Sequence, residues 1–458
     1  MNNNKSLILN DNLWKVMIKL SLPAVIAMIL HGLNTVFDAI FVGRFVGEIA
    51  LSGVSVAYPL TQISVGFGSL IGGGAGAYLS IVIGENNKGA QRKILGNANY
   101  MGLICTLFLM VVLFIFSKPL MVFMGGEGEA LALGLTYFRI TIFGTLFWVF
   151  GLAYNLIIRA EGKMGTAALI MGLGLGSNII INYLLMGVFH FGVVGAAWGT
   201  NIGMFVYTLL GAIYLKSNKP SFEANLLSIS RDRDIISNIK SMGLPSLIMS
   251  IMSVLQGIVI LNSIGVVGTT YDLAFYGVSY RLMLFMMTPL FAIMRSLQPT
   301  VGINFGARQY DRVIKATKIF IVSALIFILP LWLFLMGNPQ WVLSLMFKSV
   351  VSKENITNFR IFISVIPLLA ITMNGMSYFP SINKGKIASI VAMLRQVILY
   401  IPAMIFLPRI FGVNFVYLGS FLLDASLTIV VLVLLLKSFK DLKEGKVQMP
   451  ITKKEGKI

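Results

Sequence analysis

The residues most able to do chemistry in this sequence are acids placed where hydrocarbon should be. Asp38 lies in "NTVFDAIFVGR", inside a run that otherwise reads as membrane-buried helix. An ionised carboxylate there costs at least ~2.5–3.5 kcal/mol on insertion scales, so the position points to a function. Residues on other helices can complete a polar pocket around it. Asn178 and Asn182, four apart, share one helix face, and Thr200 and Tyr137 each add a hydroxyl. Carboxylate, amide and hydroxyl oxygens are the ligands a hard cation accepts, so Asp38, Asn178 and Thr200 are candidate Na⁺ ligands. A carboxylate in a partly dry site also takes up protons more readily, so a proton site is the equal alternative.

Each candidate also has a plain packing role. Asn and Thr often hydrogen-bond transmembrane helices together, which covers Asn178, Asn182 and Thr200. Tyr137 suits packing, and Asp38 can pair with Arg44 six residues on. His31 stands one turn before Asn34 and is a candidate proton relay or a hydrogen-bonded helix histidine. Gln256 is a neutral candidate for the cavity wall. Asp424, the other intramembrane acid, is expected to form a structural pair with Arg395. The 25 methionines suit an adaptable apolar wall.

The composition supplies the helices that must hold these groups. Of 458 residues, 57% are hydrophobic and 12% charged, with a mean hydropathy of +0.87. Soluble domains carry about 25% charged residues, so this is a polytopic membrane protein. Each span needs ~20 apolar residues. Hydropathy predicts twelve: 16–42, 51–83, 95–116, 133–157, 165–189, 193–215, 242–267, 274–303, 316–336, 357–383, 387–411 and 414–438. The expected class is an all-α bundle of two six-helix lobes. A terminus at 1–15, a first lobe at 16–215, a linker at 216–241, a second lobe at 242–438 and a basic tail at 439–458 complete the division. The opening "MNNNKSLILNDNLWK" lacks the apolar core of a cleavable signal, so the first span is expected to direct targeting.

The net charge of +19 is concentrated at one membrane face, so it does not signal a nucleic-acid partner. Loops on the side of the termini carry most of the Lys and Arg. The opposite loops hold only Arg44, Lys118, Lys348, Lys353 and Arg409. The positive-inside rule then places both termini in the cytoplasm of a cell whose plasma membrane holds the chain. The tail reads as a topology determinant touching lipid headgroups. Cys105 stands alone and cannot form an internal disulfide.

The halves echo each other. "LSLPAVIAMI" from Leu20 resembles "MGLPSLIMSI" from Met242, with Pro23 and Pro245 offset by 222. "FGVVGAAWGT" resembles "FGVNFVYLGS", and Gly162-Lys163 resembles Gly385-Lys386. Six spans per half give both halves the same orientation, a parallel repeat with a cavity between lobes. Gly68, Gly72 and Gly76, and again Gly172 and Gly176, have the four-residue spacing that lets helices approach closely. No Gly-Lys-Ser/Thr phosphate loop follows them. Pro23, Pro245 and Pro289 are expected to kink their helices. Catalytic clusters of His, Cys or Ser-His-Asp type do not stand out, so an enzyme is not expected.

Several motifs in order resemble the multidrug and toxic compound extrusion (MATE) family, its firmicute-like multidrug branch. They are "VFDAIFVGRFVG", "GGGAGAYLSIVIGENNKGAQRKILGNA", "IIRAEGKMGTAALIMGLGLGSNIIIN", "FGVVGAAWGT", "LQPTVGINFGARQYDRVIKA" and "YFPSINKGKIASIVAMLRQVILYIP". The resemblance spans roughly Leu20 to Leu436. It implies a monomeric antiporter that expels cationic or amphipathic organic compounds through a V-shaped cavity, driven by inward H⁺ or Na⁺ and needing no other cofactor. By resemblance, Asp38, Asn178 and Thr200 match the family's first-lobe site. Asn182 stands where many members carry a second acid, and Gln256 where some carry another. Both departures favour proton coupling or a less charged site. The alternatives are a lipid-linked saccharide flippase, which would line its cavity with Arg or Lys, and a non-transporting membrane scaffold subunit.

Overall fold

The computed structural model describes residues 3–217, 219–222, 224–226, 228–344, 351–446 and 449–450. Lys348 and tail residues 447–448 and 451–458 lie outside the described residues. Eleven helices are long and apolar enough to cross a membrane, and a bent pair completes a twelfth span. In chain order they are α1 Leu13–Val46, α2 Glu48–Gly84, α3 Lys88–Ile115, α4 Gly128–Phe143 with Thr145–Ala160, α5 Met164–Val188 and α6 Gly192–Lys216. The second set is α7 Arg233–Val267, α8 Tyr271–Gly306, α9 Tyr310–Gly337, α10 Lys353–Ser381, α11 Gly385–Phe411 and α12 Asn414–Lys443. Helices satisfy their own backbone groups, which lipid cannot do. Where they begin in water, polar side chains cap them. Asn12 accepts from Trp14 N, Asn87 from Ala90 N, and Asp232 from Asp234 N, while Thr269 and Asp272 cap α8 reciprocally.

Helices α1–α6 and α7–α12 form two lobes. Their seam runs along α2, which packs on α7 and α8, and along α1, which packs on α8. The closest approaches all lie in the half of α2 nearer Gly84. A Cβ on Gly74 would fall on Ile239 O, and one on Gly243 would fall on Leu70 O. Gly84 and Gly306 repeat the arrangement against Ile303 O and Ile81 O. The end of α2 near Glu48 instead packs inside its own lobe, where Gly53 meets Gly134. The lobes are therefore pressed together at the end that carries the termini.

That end has a further clasp. The stretch expected to be a polar terminus contains a helix, Asn3–Asn10, with Leu7, Ile8 and Leu9 buried. Lys5 Nζ donates to Ile83 O at 2.6 Å, while Asn304 and Arg312 of the other lobe donate to Ile8 O at 3.3 and 2.9 Å. The linker is likewise anchored. Asn97 donates to Ser230 Oγ at 3.0 Å and accepts from Asp232 N at 2.7 Å, and α7 starts at Arg233, inside the 216–241 interval.

Pro23, Pro245 and Pro289 each sit inside a continuous helix. The break recorded among the described residues is at Gly144 of α4, where the segments meet at 52°. Its cause is Asn201 of α6, whose amide donates to Ile140 O at 2.7 Å and whose Oδ1 occupies the place a Cβ on Gly144 would take. A side chain inserted into the helical ladder bends a helix without proline. Of the glycine rows, Gly68, Gly72 and Gly76 do let α2 close on Val149, Ala153 and Leu156 of α4. Gly172 meets only Leu30 at 3.6 Å and Gly176 faces open space, because α5 turns its Gly174 face to Tyr207 of α6 instead.

Gly243→Ala and Gly306→Ala should each lower the melting temperature of the purified protein, by overpacking that costs about 1–3 kcal/mol. Gly257→Ala, with nothing within 4 Å of the added carbon, is the control and should be neutral.

Candidate cation site

The first lobe gathers its polar groups on α1, α5 and α6. Asp38 is half-buried near the end of α1 away from the termini. Its Oδ1 accepts from Asn182 Nδ2 of α5 at 2.7 Å and its Oδ2 from Asn34 Nδ2, one turn earlier, at 3.2 Å. Arg44 is exposed, and no ion pair joins it to Asp38 among the described residues, so the carboxylate is held by neutral amides alone. Asn178 donates to Gly199 O at 3.1 Å, and Thr200 donates to Ala196 O at 3.0 Å. Tyr137 is hydrogen-bonded to Thr200 and lies within electrostatic reach of Asp38.

The amides lean into α6 because α6 has no side chains in their way. Gly195, Gly199 and Gly203 stand four apart, and a Cβ on Gly199 would overlap Asn182 Oδ1, while one on Gly203 would strike Asn178 Cβ. The sequence reading missed this ridge, although the spacing is the one it used for Gly68, Gly72 and Gly76. A π-helical turn at Val42–Val46 begins four residues after Asp38 and another at Tyr183–Val188 follows Asn182 directly; the two pack on each other and re-aim the ends of α1 and α5.

The buried amide oxygens of Asn34, Asn178 and Asn182 accept no hydrogen bond from the protein. Together with Asp38 they form a group rich in acceptors and carrying one negative charge. Such a group favours a cation, be it a proton, Na⁺ or an organic ammonium. Tyr58 of α2, bonded to Thr35 and within reach of Asp38, belongs to the same neighbourhood. The sequence offered no sign of it beyond a tyrosine in an apolar run.

Other candidates go elsewhere. His31 has Arg159 and Arg295, not Asp38, as its charged neighbours. Gln256 lies on α7 in the second lobe, with its Nε2 unpartnered. Arg395 grips Asp424 through two bonds, 2.6 and 3.0 Å, deep in the second lobe, the structural pair the sequence suggested. Arg159 is 3% exposed near the end of α4.

The sequence model of the family described as MatE matches twice, over residues 23–184 and 245–405, more than half of the chain. The chain belongs to the MatE family. The two matched stretches start 222 residues apart, the offset of Pro23 from Pro245, so the family unit itself occurs twice. Multidrug export protein MepA of Staphylococcus aureus (strain N315) is 26% identical over 435 residues, covering 93% of this chain and 94% of that one. MepA of Staphylococcus haemolyticus is 24% identical over 410 residues, 88% and 89% of the two chains. An outward-facing multidrug resistance MATE transporter superposes with a TM-score of 0.89 at 23% identity, over 96% of this chain and 99% of that one. A MATE structure in the bent conformation gives 0.90 at 23%, over 97% and 99%. The MatE fold of this chain is thus an all-α membrane bundle of two six-helix lobes.

Asn182→Leu removes the 2.7 Å donor from Asp38. Modification of Asp38 by an apolar carbodiimide, followed by peptide mass spectrometry, should then rise several-fold. Gly199→Ala should do the same, because the added carbon displaces the Asn182 amide.

Proposed function

We propose that this MatE-family chain is a monomeric plasma-membrane antiporter that exports amphipathic organic cations in exchange for inward H⁺ or Na⁺. The observation that carries the reading is the Asp38 carboxylate, held between Asn34 and Asn182 with no cationic partner. Relatives described as multidrug export proteins, similar along almost their whole length, support the same reading.

In this mechanism the face with the termini is cytoplasmic, as the Lys and Arg distribution suggests. Lobes pressed together at that face then correspond to an outward-open arrangement. Asp38 takes up H⁺ or Na⁺ from outside, aided by the unpartnered oxygens of Asn34, Asn178 and Asn182. Neutralising the carboxylate removes the counter-charge of a bound organic cation, which leaves. The lobes then rock, opening the seam around Gly74 and Gly243, and the coupling ion departs to the cytoplasm. A ligand shifts a conformational equilibrium only through different affinities for its states, and competition for one carboxylate supplies that difference locally.

The test is efflux of ethidium from proteoliposomes with Na⁺ and pH gradients imposed separately. Asp38→Asn should abolish uphill efflux while the protein keeps its wild-type melting temperature. Undiminished uphill efflux in that variant would remove Asp38 from the mechanism.

A further inference from the structure

Two guanidinium groups, one from each lobe, lie within electrostatic reach of each other where α4 packs on α8, and among the described residues neither pairs with an acid. Arg159 of α4 donates from Nε to Asn155 Oδ1 at 2.7 Å and from Nη2 to Met171 Sδ at 3.7 Å. Its Nη1 is buried and bonds nothing. Arg295 of α8, on the other lobe, is half-buried and makes no hydrogen bond or ion pair among the described residues. The two lie within electrostatic reach of each other, of His31 on α1 and of Tyr207 on α6. The nearest acid in sequence, Glu161, is occupied by the Tyr214 hydroxyl at 2.6 Å, the Ser221 amide and Lys163. Asp38 is occupied by its amides.

Like charges so close in a low dielectric repel strongly, and among the described residues no acid neutralises them. Nor is Arg159 placed by accident, since Asn155 orients it and is itself fixed to Ala167 O at 2.8 Å. We propose that Arg159 and Arg295 form an anion site that takes a carboxylate or phosphate group of an amphipathic molecule entering between the lobes. Planar guanidinium forks fit both oxyanions, and an anion held by one arginine from each lobe ties the lobes together.

Resting on the transport reading above, the site also widens the substrate class. His31, Asn34 and Asp38 share one face of α1, and seven residues separate His31 from Asp38, about 10 Å along the axis. A zwitterion with its amine and its acid at that spacing would meet Asp38 with one end and the arginines with the other.

Binding of three fluorescent probes to the purified full-length protein tests this without any gradient, so it is independent of whether the chain couples efflux. The probes are pyrenebutyrate, neutral pyrenebutanol and cationic pyrenebutylamine. Arg295→Gln should weaken pyrenebutyrate at least tenfold and leave pyrenebutanol unchanged, with Arg295→Lys retaining most of the affinity. Because Arg295 makes no hydrogen bond or ion pair among the described residues, this variant should fold normally. Displacement of pyrenebutyrate by phosphatidylglycerol and not by phosphatidylcholine assigns the site to a lipid headgroup. Displacement by a soluble aminocarboxylate alone assigns it to a carried molecule. Equal losses for the acid and the alcohol, or no preference of the wild type for the acid, would overturn the proposal.

Discussion

A carboxylate buried in a membrane helix normally finds a guanidinium, and the second lobe does this with Asp424 and Arg395. The first lobe does the opposite. Asp38 receives hydrogen bonds from two amides, which stabilise its charge without cancelling it. Under the proposed function, that residual charge would let a cation bind and leave, because a permanent ion pair would compete with every ligand. The arrangement depends on α6 being bare where α5 approaches. Gly199 and Gly203 leave the room in which Asn182 and Asn178 lean, and without that room the donor to Asp38 would be pushed away.

The same helix does a second task one residue on. Asn201 reaches into α4, takes Ile140 O, and breaks the helix at Gly144. The bend lies beside Thr200 and its partner Tyr137, so the polar site and the bend share one strip of α6. Movement of α4 therefore acts directly on residues that touch the site. The seam at the other end is built from backbone, with glycines of α2, α7 and α8 against carbonyl groups, and Lys5, Asn304 and Arg312 clasp it through the Asn3–Asn10 helix.

The large features were legible in the sequence because lipid imposes long-range regularity. Runs of ~20 apolar residues announced the twelve spans, even the bent one, since hydropathy sums over the whole segment. The Pro23–Pro245 offset gave the repeat, and rarity singled out Asp38, Asp424 and Arg395. What escaped depends on which face of one helix meets another. Gly172 and Gly176 had the spacing of a contact face but look away from α6, while Gly195, Gly199 and Gly203 form the contact. The 52° bend of α4 also escaped, because an asparagine on a different helix makes it. The Asn3–Asn10 helix is too short and polar to show in a hydropathy average, and its partners, Ile83 and Asn304 among them, are far away in the chain. Nothing local in the sequence reveals that Arg159 lies within electrostatic reach of Arg295 on the other lobe.

Occupation of a single carboxylate by fuel or by cargo, but never by both, is the central claim, and equilibrium binding tests it most directly. Ethidium affinity should be measured on the purified protein across a series of pH values and, separately, of Na⁺ concentrations. The account predicts that the apparent Kd rises in proportion to one of the two cations, with an unchanged number of sites. A Kd indifferent to both cations, or one that falls as either increases, would contradict it.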